Sequence, residues 1–324
     1  MFKLKDWIGQ DKIYWTRLSE NPSEGALTLL ENNQDKINWN CLSYNPSAIS
    51  LLENNQDKII WSQLSENPSA ISLLENNQDK IDWLNLSLNP SALTLLEKNQ
   101  DKINWTLLSA NPSARAIALL EKNQDKICWP QLSRNPSAIS LLEKNQDKIH
   151  WGMLSTNPSA ITLLEKNQDK IEWTQLSRNP AALTLLEKNQ DKIHWTMLSA
   201  NPSERAIALL EKNQNKINWT RLSMNPSARA IALLENNQDK INWLWLSRNP
   251  STRAIALLEN NQDKIYWAQL SENPAIFEYD YQGMKDAMYN GIKEDLVKNR
   301  FHPKNIPKFR DWGMDGFEDY EDDE

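Results

Sequence analysis

Cys128, His150, Glu172 and His194 hold the same position in four consecutive repeats, one residue ahead of a tryptophan, and their side chains are of the types that bind zinc. Spacing rules out that chemistry. Zinc holds its donors about 2 Å from its centre, whereas equivalent positions in stacked helical repeats stand roughly 8–10 Å apart. Two of these side chains could converge; four could not. No metal and no cofactor is therefore assigned. No nucleophile, base and orienting group recur together, so the chain reads as a non-enzyme with no catalytic residue. Its seven glycines are scattered, which removes both kinds of Gly-rich phosphate loop.

A binding surface is the better candidate. Met197, Arg221 and Trp245 share one variable position in three successive repeats, and Met224 and Arg248 share a neighbouring one. Trp, Arg and Met are enriched at the centres of protein interfaces. Flanked by Arg205, Arg229 and Arg253, this set is expected to grip an acidic or amphipathic segment of a host or viral protein. The role that follows is an interaction scaffold or adaptor, with a structural or virion-associated spacer as the alternative.

These positions vary only against a repeat. Twelve units can be counted on Trp15, Trp39, Trp61, Trp83, Trp105, Trp129, Trp151, Trp173, Trp195, Trp219, Trp243 and Trp267, every step being 22 or 24 residues. Each unit reads Asp-Lys-Ile-x-Trp-x-x-Leu-Ser-x-Asn-Pro and then an apolar stretch ending in Leu-Leu-Glu-x-Asn-Gln. A unit this short cannot bury its own apolar face, so it must stack on its neighbours. The expected fold is an all-α, right-handed α-solenoid whose units pair one α-helix with a short α or 3-10 segment. It should be a monomeric elongated rod on the order of 100 Å long. Residues 1–10 are assigned to an N-terminal cap and 11–274 to the solenoid. Residues 275–310 form a helical cap for the last exposed repeat face, and 311–324 a disordered acidic tail.

Within a unit, Asn-Pro reads as a helix N-cap followed by proline at the first helical position. That assigns a cap to Asn21, Asn45, Asn67, Asn89, Asn111, Asn135, Asn157, Asn179, Asn201, Asn225, Asn249 and Asn273. The helix should stop at Asn-Gln, with asparagine in the left-handed conformation and Gly9 filling that slot in the first unit. Asp11, Asp35 and their counterparts are expected to cap the second segment. Pro130 and Gly152, directly after tryptophans, point to a 3-10 turn beginning there. The twelve tryptophans are expected to form a buried core ladder, each covering about 150–250 Å².

The net charge of −7 resides in the tail, where residues 311–324 carry eight carboxylates and no lysine or arginine, leaving the rest of the chain at +1. A nearly neutral solenoid lacks the basic field that nucleic-acid binding requires, so no nucleic acid is expected as a partner. Cys41 and Cys128 lie four units apart, too far for a disulfide, which fits a reducing compartment. No apolar run approaches a membrane span and no signal peptide opens the chain. The host-cell cytoplasm or a virion is the expected location.

The unit Leu-Ser-x-Asn-Pro-x-Ala-Ile-x-Leu-Leu-Glu-x-Asn-x-Asp-Lys-Ile-x-Trp resembles repeat proteins encoded in many copies by giant nucleocytoplasmic DNA viruses. Asn273–Tyr281 resembles their junction to a C-terminal helix, and His302–Phe309 their closing motif. The resemblance implies an α-helical solenoid with a helical end module and brings no site residues. The Asn-Pro-anchored unit is also similar, more weakly, to variant leucine-rich repeats, from which Ile-x-Trp-x-x-Leu departs.

Overall fold

The computed structural model describes residues 1–296 and 298. The closing segment His302–Phe309 and the acidic tail lie outside them. Eleven of the twelve units fold into the same three recurring pieces, the twelfth passing from its Trp helix, Trp267–Ser271, through a short 3-10 turn into a strand; numbering the units by their tryptophans makes Trp151 the seventh. That unit has a Trp helix, Trp151–Leu154, a Leu helix, Ile161–Lys166, and a 3-10 turn, Gln168–Lys170. The two additional residues of the longer units extend the Leu helix at its start, as in Ala114–Lys122 and Glu204–Lys212. The architecture is an all-α repeat solenoid.

Four local expectations change. The segment beginning at the tryptophan is α, and Pro130 is accommodated in its first turn, where no intrahelical N–H is required. The 3-10 turn instead falls on Gln-Asp-Lys, so Asp35 and its counterparts lie inside that turn without capping the Trp helix. The asparagine ending each Leu helix is not left-handed: Asn55 has φ −139° and ψ 48°. Asparagine is used there for its amide, which donates to the carbonyl four residues back, Asn55 Nδ2 to Leu51 O at 3.0 Å and Asn167 Nδ2 to Leu163 O at 3.0 Å. Gly9 has an extended backbone, φ −70°, and so marks no left-handed position.

The core is one continuous cluster of leucine, isoleucine and alanine running through every unit. The tryptophans rim it, half-buried and packed against its edge. Their outer faces are covered from the next unit: Lys36 Nζ sits 4.5 Å from the Trp15 ring centre, and eleven such pairs recur at 4.4–4.9 Å. A cation over an indole face is attractive, and the lysine stem shields the ring from water.

Two buried polar ladders tie unit to unit. The Asn-Pro asparagine accepts from the backbone two residues on, as Asn179 Oδ1 does from Ala181 N at 3.0 Å; it thereby caps the short 3-10 turn Pro180–Ala182, whereas the expected capping of the Leu helix itself falls to Ala182. Its amide also donates backward, from Asn179 Nδ2 to Ser155 O and Asn157 O of the preceding unit at 3.1 and 3.0 Å. The Leu-Ser serine donates to the tryptophan carbonyl, Ser155 Oγ to Trp151 O at 2.9 Å, and accepts Glu172 N of the next unit at 3.1 Å. Both residues are fully buried, and both use their polar atoms, as burial demands. In the longer units the asparagine keeps these bonds, while the α-helix proper begins after a serine, such as Ser113 or Ser203.

The ladders do not end. Tyr14 N donates to Ser271 Oγ at 2.9 Å and Asn21 Nδ2 to Ser271 O at 3.2 Å, the same bonds in the same sense between the first unit and the twelfth. Trp7 meets Trp267 at a ring separation of 6.4 Å. The Phe277 ring packs on Gly25, where a Cβ would fall 2.4 Å from Phe277 Cδ1. The open rod is thus replaced by a closed ring of twelve units, roughly 30–40 Å across at the helix axes for neighbours 8–10 Å apart. Residues near Trp7 close the seam and cap no free end, and the last unit needs no helical cap because the first covers it. Neighbouring units are tied to each other along Leu-Ser-x-Asn-Pro by the buried serine and asparagine bonds.

The chain divides into two compact parts, Leu4–Phe277, which is the ring, and Met1–Lys3 with the segment from Glu278 onward. In the second part Phe2 stacks on Tyr279 at 4.6 Å, Lys3 pairs with Glu278 at 3.6 Å, and Asp280 N donates to Met1 O. Asp280 then caps the terminal helix Tyr281–Asp295 through Gly283 N at 2.9 Å. Strands β1 (Phe2–Leu4) and β2 (Phe277–Tyr279) form a two-stranded sheet.

Candidate interaction face

Four positions per unit vary: the residue before the tryptophan, the two after it, and the one between serine and asparagine. All are carried by the Trp helix and its ends. The position before the tryptophan is the N-cap of that helix. Asn38, Asp82, Asn104, Asn218 and Asn242 each accept the backbone N–H three residues on. His150 and His194 do the same through Nδ1, from Met153 N at 3.2 Å and Met197 N at 3.4 Å, and Glu172 accepts Thr174 N at 3.3 Å. Three of the four residues that resemble a zinc set are therefore caps, and the fourth, Cys128, holds the same position without a side-chain capping bond. Among the described residues no group of three or more His, Cys, Asp or Glu is placed to hold a metal.

The proposed patch divides. Met197, Arg221 and Trp245 stand at equivalent positions of three successive Trp helices, all half-buried, and Met224 and Arg248 are exposed beside them. Arg248 is already engaged, bonding Glu272 at 2.7 Å. Arg205, Arg229 and Arg253 do not flank this set. They lie on Leu helices and clamp Glu187, Glu211 and Glu235 of the preceding units with two hydrogen bonds each. Arg229 holds the Glu211 carboxyl below its usual range through these bonds. Arg115 clamps Glu97 likewise. Four of the five two-residue insertions thus carry an arginine that braces the unit behind. The fifth carries Gly25, which makes room for Phe277.

A second region was hidden by treating the chain ends as remote. Tyr266, Tyr14, Tyr44, Ile60 and Leu84 are all exposed, between 39% and 55%. Closure places them on consecutive units, the twelfth and then the first to fourth, as one apolar arc across the seam. The sequence signal was present at both ends, tyrosine before tryptophan in the first unit and in the last.

Cys41 and Cys128 are free thiols. Burial, reinforced by donation to Glu20 Oε1 at 3.2 Å, pushes the Cys41 thiol up to about 11.

No protein-family model matches the chain, and comparison with curated proteins and with solved structures finds no match. No described helix is long and apolar enough to cross a membrane.

Proposed function

We propose that the protein is a non-enzymatic interaction scaffold of a giant virus, a ring that presents its variable positions to a host or viral protein. One observation carries this reading. Every large apolar side chain left exposed on the ring is at a variable position: Tyr14, Tyr44, Ile60, Leu84, Met153, Met224 and Tyr266. The repeated residues, by contrast, are spent on holding the ring together. Exposed apolar residues gathered on one kind of surface mark an interaction site rather than a solvated face. Aromatic side chains with a polar tip, which dominate the seam arc, suit such a surface.

The test is a tagged pull-down with mass spectrometry from infected host cells. It compares wild type with Tyr14→Ser, Tyr266→Ser and with Arg221→Glu, Trp245→Asp. Loss of one specific protein in either variant supports the scaffold and locates its face. Recovery only of virion structural proteins, unchanged by both variants, favours the spacer and removes this reading.

A further inference from the structure

The sixth to eighth units enclose a cleft of about 820 Å³ on the variable face. Arg134 and Arg178 line it, both at the position between serine and asparagine. Neither pairs with a carboxylate among the described residues, whereas six of the nine described arginines do. His150 also lines the cleft. Its Nδ1 accepts from Met153 N, which leaves Nε2 as the ring's donor. Gln175 adds an amide, and Glu172 is the single carboxylate of the lining. The space exists because Gly152 follows the tryptophan where five other units have threonine (Thr16, Thr106, Thr174, Thr196, Thr220). A Cβ there would stand 3.3 Å from His150 Cε1.

We propose that this cleft binds a phosphate monoester. Two guanidinium forks lining one volume, with an imidazole N–H donor beside them, match a tetrahedral dianion that offers three free oxygens. A planar carboxylate has only two. Glu172, whose carboxylate accepts hydrogen bonds, suits a hydroxyl or amino group next to the phosphate. The site is independent of any protein partner, since it needs only the ring.

Calorimetric titration of the full chain tests it with three probes: inorganic phosphate, glycerol phosphate and a phosphoserine peptide. Saturable binding is expected, weakened at least tenfold by Arg134→Gln, Arg178→Gln and by Gly152→Thr. Arg221→Gln, which removes an arginine outside the cleft that pairs with no carboxylate among the described residues, should leave affinity unchanged. The free ester binding as tightly as the peptide assigns the site to a small molecule; a tighter peptide assigns it to a phosphorylated protein segment. Absence of saturable heat, or equal weakening by Arg221→Gln, overturns the proposal. Unchanged thermal unfolding of the variants shows that the fold is intact, and Gly152→Thr restores a residue the repeat already tolerates.

Discussion

Ser271 Oγ accepts the backbone N–H of Tyr14 at 2.9 Å across 257 residues of sequence, repeating a bond that every other unit makes with its immediate successor. That one bond distinguishes a ring from a rod. Deleting a complete unit, residues 139–160, would only shorten a rod. Here it removes one-twelfth of the turn, so the seam should be strained or open. Hydrogen exchange at the Tyr14 amide should rise to the level of a surface loop, while interior amides such as Asn242, bonded to Ser223 Oγ, stay protected.

Gly25 and Phe277 are expected to behave as a coupled pair. Gly25→Ala places a methyl group inside the Phe277 ring position and should cost about 1–3 kcal/mol, in the range of overpacking. In a Phe277→Ala background the same change should be nearly neutral. Urea unfolding of the four chains measures the coupling, and additive effects would show that the contact does not matter.

Asn179 separates capping from bridging. Aspartate is as good an N-cap as asparagine, so a capping role alone predicts that Asn179→Asp is mild. The structure predicts the opposite, because the substitution removes the donor to Ser155 O and Asn157 O and puts a carboxylate against two buried carbonyl oxygens. A loss of about 2–4 kcal/mol is expected, at least as large as for Asn179→Ala.

Much of this was legible in the residues and some was not. The period, the helical class and the leucine core follow from apolar spacing, which is local information. The backward bonds of Asn179 and Ser155 are not local, since a side chain that caps its own helix looks the same in sequence as one that also reaches the unit behind. Closure was illegible for a related reason. Whether twelve wedges complete a circle depends on a small angle per unit, and no single residue states it. Gly25 and Phe277 were the nearest thing to a signal, a glycine where the other long units have arginine, and an aromatic side chain just beyond the last repeat. His150 and Glu172 look like metal ligands in the sequence because capping and metal binding draw on the same lone pairs, and spacing alone argues against the metal.

Cys41 should be a slow nucleophile at neutral pH, its alkylation rate rising only as pH nears 11. The neutral thiol is favoured in the folded chain, so its contribution to stability is complete below the unfolded value near 9 and is lost as pH climbs through about 11. Glu20→Gln removes the nearby negative charge and leaves only a neutral amide oxygen to accept the thiol hydrogen bond, and should move the alkylation profile to lower pH. An unmoved profile would leave burial as the whole cause.

Lys170 over Trp151, at 4.7 Å, represents eleven such pairs. Lys170→Gln should cost about 0.5–1 kcal/mol, the worth of an exposed cation over an indole. Trp151 emission should shift to the red as water reaches the ring. No change in either would mean that the lysines are merely nearby.

An open stack of repeats unravels from its termini, where the outermost unit has a single neighbour to leave. A molecule in which Tyr14 answers Ser271 has no outermost unit. Two interfaces must part before any segment is released, and the first of these ruptures gains little chain freedom in return. Unfolding should therefore be slow for the equilibrium stability the molecule has, with the persistence of a hoop whose every stave is held on both sides.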